Sequence, residues 1–174
     1  MNYSITPSGE KFAIPAKEAY ADEFKRIKTL ADKARAEGKE IVVVMGLGFV
    51  GVVMAAIVAD TVDESGNPTK FVIGCQRPSV RSYWKIPVIN RGVSPVTAED
   101  PEVAEIIDRT VIKKKSFVAT YDSDCLKLAD CVVVDVQCDF KKKELGNMKS
   151  GETDMAALRS EEHTSELQSH VNLV

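Results

Sequence analysis

The first clear period in the chain follows Pro15, where Tyr20, Phe24, Ile27, Ala31 and Ala34 recur at intervals of four and three. On a helix these positions share one face, and the Lys, Asp, Glu and Arg between them fall on the others. The pattern predicts an amphipathic helix opened by Pro15 and ended by Gly38, a residue suited to the position just past a helix C-terminus. Such a stripe packs on its own domain or docks on a partner subunit. Residues 1–14 show no period and read as an extended arm, so residues 1–40 are expected to form an arm and a leading helix.

Past Glu40 the pattern changes. Ile41-Val42-Val43-Val44-Met45 is apolar without alternation, as a central parallel strand buried on both faces requires. Residues 52–62 are apolar and Ala-rich and predict a helix that stops before Asp63-Glu64-Ser65-Gly66-Asn67-Pro68; Phe71-Val72-Ile73-Gly74-Cys75 predicts a second buried strand. Residues 79–86 read as a short helix and 90–95 as a loop. Residues 99–110 place Val103, Ile106 and Ile107 on one helical face, with Asp100 as a candidate N-cap and Pro101 in the first turn. Residues 116–120 and 131–136 predict two further strands, separated by a short helix capped by Asp122-Ser123-Asp124. Strands alternating with helices predict an α/β fold, a Rossmann-type doubly wound, mostly parallel sheet with helices on both faces.

Composition narrows the function classes. With 44% apolar and 28% charged residues in 174, the chain has the make-up of a globular domain. Its longest apolar stretch, residues 41–59, contains Gly46, Gly48 and Gly51 and does not read as a membrane span. Residues 1–40 lack the apolar core of a signal peptide, so a cytoplasmic protein is expected. The net charge is −3, and the basic runs Lys113-Lys114-Lys115 and Lys141-Lys142-Lys143 are too short to track a phosphate backbone. No nucleic-acid and no membrane partner is expected. Cys75, Cys125, Cys131 and Cys138 form no C-x-x-C pair and read as small buried thiols in a reducing compartment.

The last segment has a different character. Arg159-Ser160-Glu161-Glu162-His163-Thr164-Ser165-Glu166-Leu167-Gln168-Ser169-His170 continues no period and is similar, residue for residue, to the translation of a common short-read sequencing adapter. Residues 159–174 are therefore expected to be a non-native tail. Both histidines of the chain lie in it, so residues 1–158 offer none for a metal site or for a Ser-His-Asp or Cys-His mechanism. No catalytic residue and no metal ligand is expected.

The chemistry-bearing motif is Gly46-Leu47-Gly48-Phe49-Val50-Gly51, a G-x-G-x-x-G between a predicted strand and a predicted helix. In this context the first glycine permits the tight turn, the second lets the backbone approach a pyrophosphate, and the third lets the helix pack on the sheet. The helix N-terminus would then stabilise the phosphates without any Lys or Arg in the turn. A dinucleotide site normally places Asp or Glu at the end of the second strand, to accept from the ribose hydroxyls. Here Gln76 and Arg77 stand there. Gln76 lacks the charge that repels a 2′-phosphate and Arg77 can pair with one, so NAD is expected with NADP as an alternative.

The order VVVMGLGFVG, FVIGCQRP, INRGVSPV, FVATYD, LADCVVVDVQCD and GETDMAAL resembles the N-terminal domain of the UDP-glucose/GDP-mannose dehydrogenase family, nucleotide-sugar 6-dehydrogenases, over residues 41–158. Asn90-x-Gly92-x-x-Pro95 and Thr120-x-Asp122 are the more particular parts. The resemblance implies NAD lying across the glycine turn and the loop after the LADCVVVDV strand, and so adds Val136, Gln137 and Cys138 to Gly46–Gly51, Gln76 and Arg77 as cofactor-binding residues. It implies two-step oxidation of a sugar C6 alcohol to a carboxylate, a nucleotide-sugar partner, and a homo-oligomeric full-length enzyme. It also implies truncation: the family's catalytic cysteine, with its Lys and Asn, lies in later segments, so this chain is expected to bind but not to turn over. Two departures are Gln76 for the acidic ribose ligand and Val136-Gln137-Cys138-Asp139 for the usual V-P-T-P loop. Cys138 does not match the nucleophile motif. Another dehydrogenase of the same cofactor architecture, of the 3-hydroxyacid type, and a non-enzymatic NAD(H)-sensing module stand as alternatives.

Overall fold

The structure is a computed structural model that describes residues 2–135 and the backbone of Asp139–Lys141 and Glu152–Asp154. The chain opens with a hairpin of β1 (Tyr3–Ile5) and β2 (Lys11–Ala13), where the sequence suggested only an extended arm. Three-residue strands are too short to show a period. What holds the hairpin is tertiary: Ser4 Oγ accepts from the Trp84 amide at 3.0 Å, Glu10 pairs with both Arg91 nitrogens at 2.9 and 2.8 Å, and the Arg91 guanidinium lies 5.4 Å from the centre of the Phe12 ring.

A 3₁₀ turn, Lys17–Ala19, leads into α1 (Tyr20–Ala36). Gly38 ends it as expected. Its φ is +79°, its amide donates to the Arg35 carbonyl, and the Lys39 amide donates to Ala34, the paired bonds of a Schellman motif. The apolar stripe packs on the chain's own sheet: Ile27, Ala31 and Ala34 are buried against Ile41, Val43, Met45, Phe71 and Ile73.

That sheet has four parallel strands: β3 (Glu40–Met45), β4 (Lys70–Cys75), β5 (Phe117–Thr120) and β6 (Cys131–Val134). They lie in the order β5-β4-β3-β6, with Ile41 opposite Phe71 and Val43 opposite Val132. The unbroken apolar run of β3 is explained by the two layers it serves. Ile41, Val43 and Met45 face α1 and the 3₁₀ segment Ser123–Leu128, while Val42 and Val44 face the other helices.

The second layer holds α2 (Phe49–Asp60), α3 (Lys85–Ile89) and α4 (Glu102–Asp108). Helix α2 starts at Phe49 rather than at the expected residue 52, because the turn is complete at Gly48 and Gly51 already lies in the first helical turn. Helix α3 sits three residues later than its expected end would allow, with Pro87 in its first turn, where a missing amide removes no helical bond. Helix α4 is shorter than residues 99–110 and runs on into a π-helical turn, Arg109–Lys113; Asp100 still serves its start, accepting from the Glu102 amide at 2.9 Å. Two short strands, β7 (Asp139–Lys141) and β8 (Glu152–Asp154), pair antiparallel. Parallel strands with helices on both faces make the Rossmann-type α/β fold that the alternation predicted. The predicted tail, residues 159–174, lies outside the described residues. Among the described residues no helix is long and apolar enough to cross a membrane.

The two loop motifs brace the edge strand β5. The Asn90 amide accepts from the Ala119 N–H at 2.7 Å and donates to the Ala119 carbonyl at 2.9 Å, so one side chain pairs both backbone groups of a buried residue. Gly92 has a φ of +77° at the turn that aims it. Asp122 caps the 3₁₀ segment, accepting from the Asp124 amide at 3.0 Å.

Candidate functional site

In a doubly wound sheet the chain leaves β5 at one edge and returns as β6 at the other, next to β3. Neighbouring connections then depart to opposite faces and open a crevice at the strands' carboxyl ends. Here that switch point lies between β3 and β6, whose last residues pair as Met45 with Val134. The glycine turn leaves β3 at this point.

Two of its glycines are required by the fold. Gly46 has a φ of +91°, and a Cβ there would lie 1.9 Å from the Asp135 carbonyl oxygen, just past the end of β6. A Cβ on Gly51 would lie 1.9 Å from the Gly46 carbonyl oxygen and 2.7 Å from Asp135 Oδ2. The turn, the first helical turn and the end of β6 are therefore packed backbone to backbone. Leu47 turns its fully buried side chain down onto Gly74 and Phe117, which anchors the turn in the sheet.

Gly48 is different. Its φ of −71° is ordinary for any residue, and a Cβ would meet no described residue within 4 Å. Among the described glycines no other combines an ordinary φ with open space: Gly9, Gly38, Gly46, Gly66 and Gly92 have positive φ, while Gly51 and Gly74 are tightly packed. The first bond of α2 runs from the Val52 amide to the Gly48 carbonyl at 3.2 Å, which leaves the Phe49, Val50 and Gly51 amides without an acceptor in their own helix. The Phe49 and Val50 side chains, 55% and 56% exposed, flank this opening. The arrangement can receive an anion on backbone donors at the positive end of a helix, and a Cβ at Gly48 would stand in the space the anion needs.

Two side chains hold the turn at Leu47. Gln76 Oε1 accepts from the Leu47 amide at 2.9 Å, and Lys85 Nζ donates to the Leu47 carbonyl at 3.0 Å. Gln76 thus sits at the turn, as its place at the end of β4 suggested, but its carbonyl oxygen faces the chain's own backbone. Arg77 lies on the surface next to it, its carbonyl accepting from Ser82 Oγ at 2.9 Å. Lys85 was missed by sequence reasoning; the signal was a lone cation in the otherwise apolar run Trp84-Lys85-Ile86-Pro87-Val88. Burial lowers its pKa from the ordinary lysine value. Val136, Gln137 and Cys138 lie outside the described residues.

Beside the crevice, past the end of β5, Tyr121 stacks edge-on against Tyr20 at 5.1 Å and Tyr83 at 5.9 Å. Burial, with Glu23 nearby, pushes the Tyr121 hydroxyl up to about 12, so it stays protonated. Cys75 and Cys125 are buried and Cys131 is partly exposed. Among the described residues no group of His, Cys, Asp and Glu is placed to hold a metal.

A parallel sheet in this order, with a glycine turn feeding a helix at its switch point, defines a Rossmann-type fold. No family model and no curated protein matches the chain. Solved structures do. It is similar to the NDP-N-acetyl-D-galactosaminuronic acid dehydrogenase of Methanosarcina mazei Go1, at 29% identity and a TM-score of 0.59 over 79% of this chain and 26% of that one. A UDP-D-ManNAc dehydrogenase of Pyrococcus horikoshii matches at 21% identity and a TM-score of 0.51 over 72% of this chain and 25% of the other. A UDP-glucose dehydrogenase of Pyrobaculum islandicum matches at 16% and 0.52, over 72% and 24%. At those identities the last two speak to the fold alone. The resemblance to the nucleotide-sugar dehydrogenases is borne out by the first of these matches, and the chain spans about a quarter of the length of the structures it matches.

Proposed function

We propose that this chain is the cofactor-binding portion of a nucleotide-sugar 6-dehydrogenase and that it binds NAD at the glycine turn. The observation that carries the reading is Gly48, a glycine that neither its backbone conformation nor the packing of the described residues requires. Ligand approach supplies the missing reason, since a dinucleotide's pyrophosphate must come within hydrogen-bond reach of the Gly48-Phe49-Val50 backbone. The chemistry such a cofactor supplies is hydride acceptance, and two rounds of it, with a water molecule supplying the second oxygen between them, would take a sugar C6 alcohol to a carboxylate. The nucleotide sugar, the reaction and a homo-oligomeric assembly are proposed for the full-length enzyme, and the chain itself is expected to bind without turnover. NAD is preferred over NADP because a 2′-phosphate site usually gathers several basic or hydroxyl groups and the notable candidates that follow β4 in the sequence are Arg77, Ser79 and Arg81, although Gln76 offers no charge to exclude one.

Calorimetric titration of NAD into the wild type and Gly48→Val tests this. The backbone angles suit any residue and a Cβ meets no described residue within 4 Å, so the variant should stay folded while losing binding. Equal binding by both proteins, or NAD reduction by the chain alone with a nucleotide sugar, would overturn the reading.

A further inference from the structure

At the amino ends of β3 and β4 a cavity of about 260 Å³ opens between the last turn of α1 and the segment that enters β5. The length of a six-residue strand, roughly 20 Å, separates it from the glycine turn. Its base is apolar, with Ala34 and Phe71 buried and Leu30 half-buried. Four lysines, Lys33, Lys39, Lys114 and Lys115, line it against one carboxylate, Glu37. Lys39 Nζ donates to Glu37 Oε2 at 2.7 Å, and Lys114 Nζ lies 2.8 Å from Asp60 Oδ1. Lys33 and Lys115 form no ion pair with a carboxylate among the described residues.

Irregular backbone brings Lys114 and Lys115 here. Helix α4 runs into the π-helical turn Arg109–Lys113, and Lys115 then takes a φ of +52°, the left-handed conformation that glycine adopts without strain. The basic run is thereby split. Lys113 stays in solvent 3.5 Å from Asp108, Lys114 turns back to donate to the Asp60 carbonyl at 2.9 Å, and Lys115 lines the cavity. Cations in the last turn of α1 complement the negative end of that helix, which accounts for Lys33. It does not account for a lysine held at a glycine-like φ on another segment, the kind of local strain that persists where a site needs the side chain.

We propose that this cavity binds a small phosphate monoester, its phosphate among Lys33, Lys39 and Lys115 and its apolar portion on Leu30, Ala34 and Phe71. Ammonium groups suit phosphate oxygens as point charges, and a dianion relieves their mutual repulsion. The volume lies below the roughly 300 to 1,000 Å³ of pockets for drug-sized ligands, so a phosphorylated ring fits and a dinucleotide does not. The site stands independently of the reading of the glycine turn.

The test titrates phenyl phosphate, inorganic phosphate and phenol into the full chain and follows the backbone amide resonances. Phenyl phosphate should bind tightest, should move residues 30–39 and 113–116, and should be weakened by added salt. Lys33→Gln and Lys115→Gly should each weaken it by about threefold to tenfold, between an exposed ion pair and a charge-assisted hydrogen bond. Lys115→Gly should do so while the urea unfolding midpoint holds or rises, since glycine relaxes the backbone there. Gly48→Val should bind phenyl phosphate as the wild type does. The proposal is overturned if phenyl phosphate does not bind, if inorganic phosphate or phenol binds as tightly, or if affinity survives both lysine substitutions. It is equally overturned if Lys115→Gly lowers the unfolding midpoint and leaves affinity unchanged, which makes the lysine structural, or if Gly48→Val abolishes binding, which assigns the ester to the glycine turn.

Discussion

Replacing the three glycines of the turn one at a time by alanine should separate those the fold needs from the one it leaves free. At Gly46 the φ of +91° penalises any L side chain by about 1 to 2 kcal/mol. The new Cβ also falls 1.9 Å from the Asp135 carbonyl oxygen, between the ends of β3 and β6. Overpacking of that kind adds about 1 to 3 kcal/mol, so Gly46→Ala should lose about 2 to 5 kcal/mol in all. Gly51 carries no conformational penalty, but its Cβ would sit 1.9 Å from the Gly46 carbonyl oxygen, a backbone atom that cannot retract without moving the turn. About 1 to 3 kcal/mol is expected there. Gly48 occupies the N-cap of α2, where alanine is less suited than glycine by about 0.5 to 1 kcal/mol. Stiffening of the unfolded chain returns about 0.4 to 1 kcal/mol, so Gly48→Ala should be neutral within about 0.5 kcal/mol. Urea unfolding followed by far-ultraviolet circular dichroism gives all three values. If Gly48→Ala unfolds as early as Gly51→Ala, Gly48 has a structural duty and the argument from its idleness collapses.

Three further outcomes follow from other contacts. Asp60 at the end of α2 is held to about 2, below its ordinary 3.8, chiefly by the bidentate Arg109 guanidinium and then by Lys114. A carboxyl with a depressed folded-state pKa contributes stability above its unfolded pKa and loses it as pH falls through about 2. After discounting for solvent screening, Asp60→Asn should cost about 1 to 2 kcal/mol at pH 7 and little near pH 2, and a pH-independent difference in denaturant unfolding would refute this. Asn90→Ala strips the Ala119 amide of its partner and leaves the Ala119 carbonyl only the longer 3.4 Å bond from Arg26, and should destabilise by about 1 to 3 kcal/mol, with retention of the wild-type melting temperature counting against that role. Gln76→Asp should strengthen exclusion of NADP by about 1 to 3 kcal/mol in paired calorimetric titrations; a wild type that already prefers NAD more than about a hundredfold would show that position 76 is not what admits a 2′-phosphate.

The sequence by itself determined the strands and their parallel burial. An unalternating run such as Ile41 to Met45 is stable only where both faces are covered, and the helix stripe from Tyr20 to Ala34 has one face to bury. It also located the turn, because Gly46 and Gly51 stand where a backbone must bend and pack closely. The β1–β2 hairpin was hidden, since its hold comes from Ser4, Glu10 and Phe12 against residues some eighty positions away. The sequence could not tell the glycines apart either: a G-x-G-x-x-G reads the same whether its middle glycine is crowded or idle, and only the position of Asp135 beside Gly46 and Gly51, and of no described residue beside Gly48, decides it. Lys85 and Gln76 likewise meet at Leu47 only because α3 folds back over the carboxyl end of β3 and β4 ends beside it. Periodicity is a local property carried by neighbours in the chain, whereas the site is built where crossovers bring distant segments to one end of a sheet.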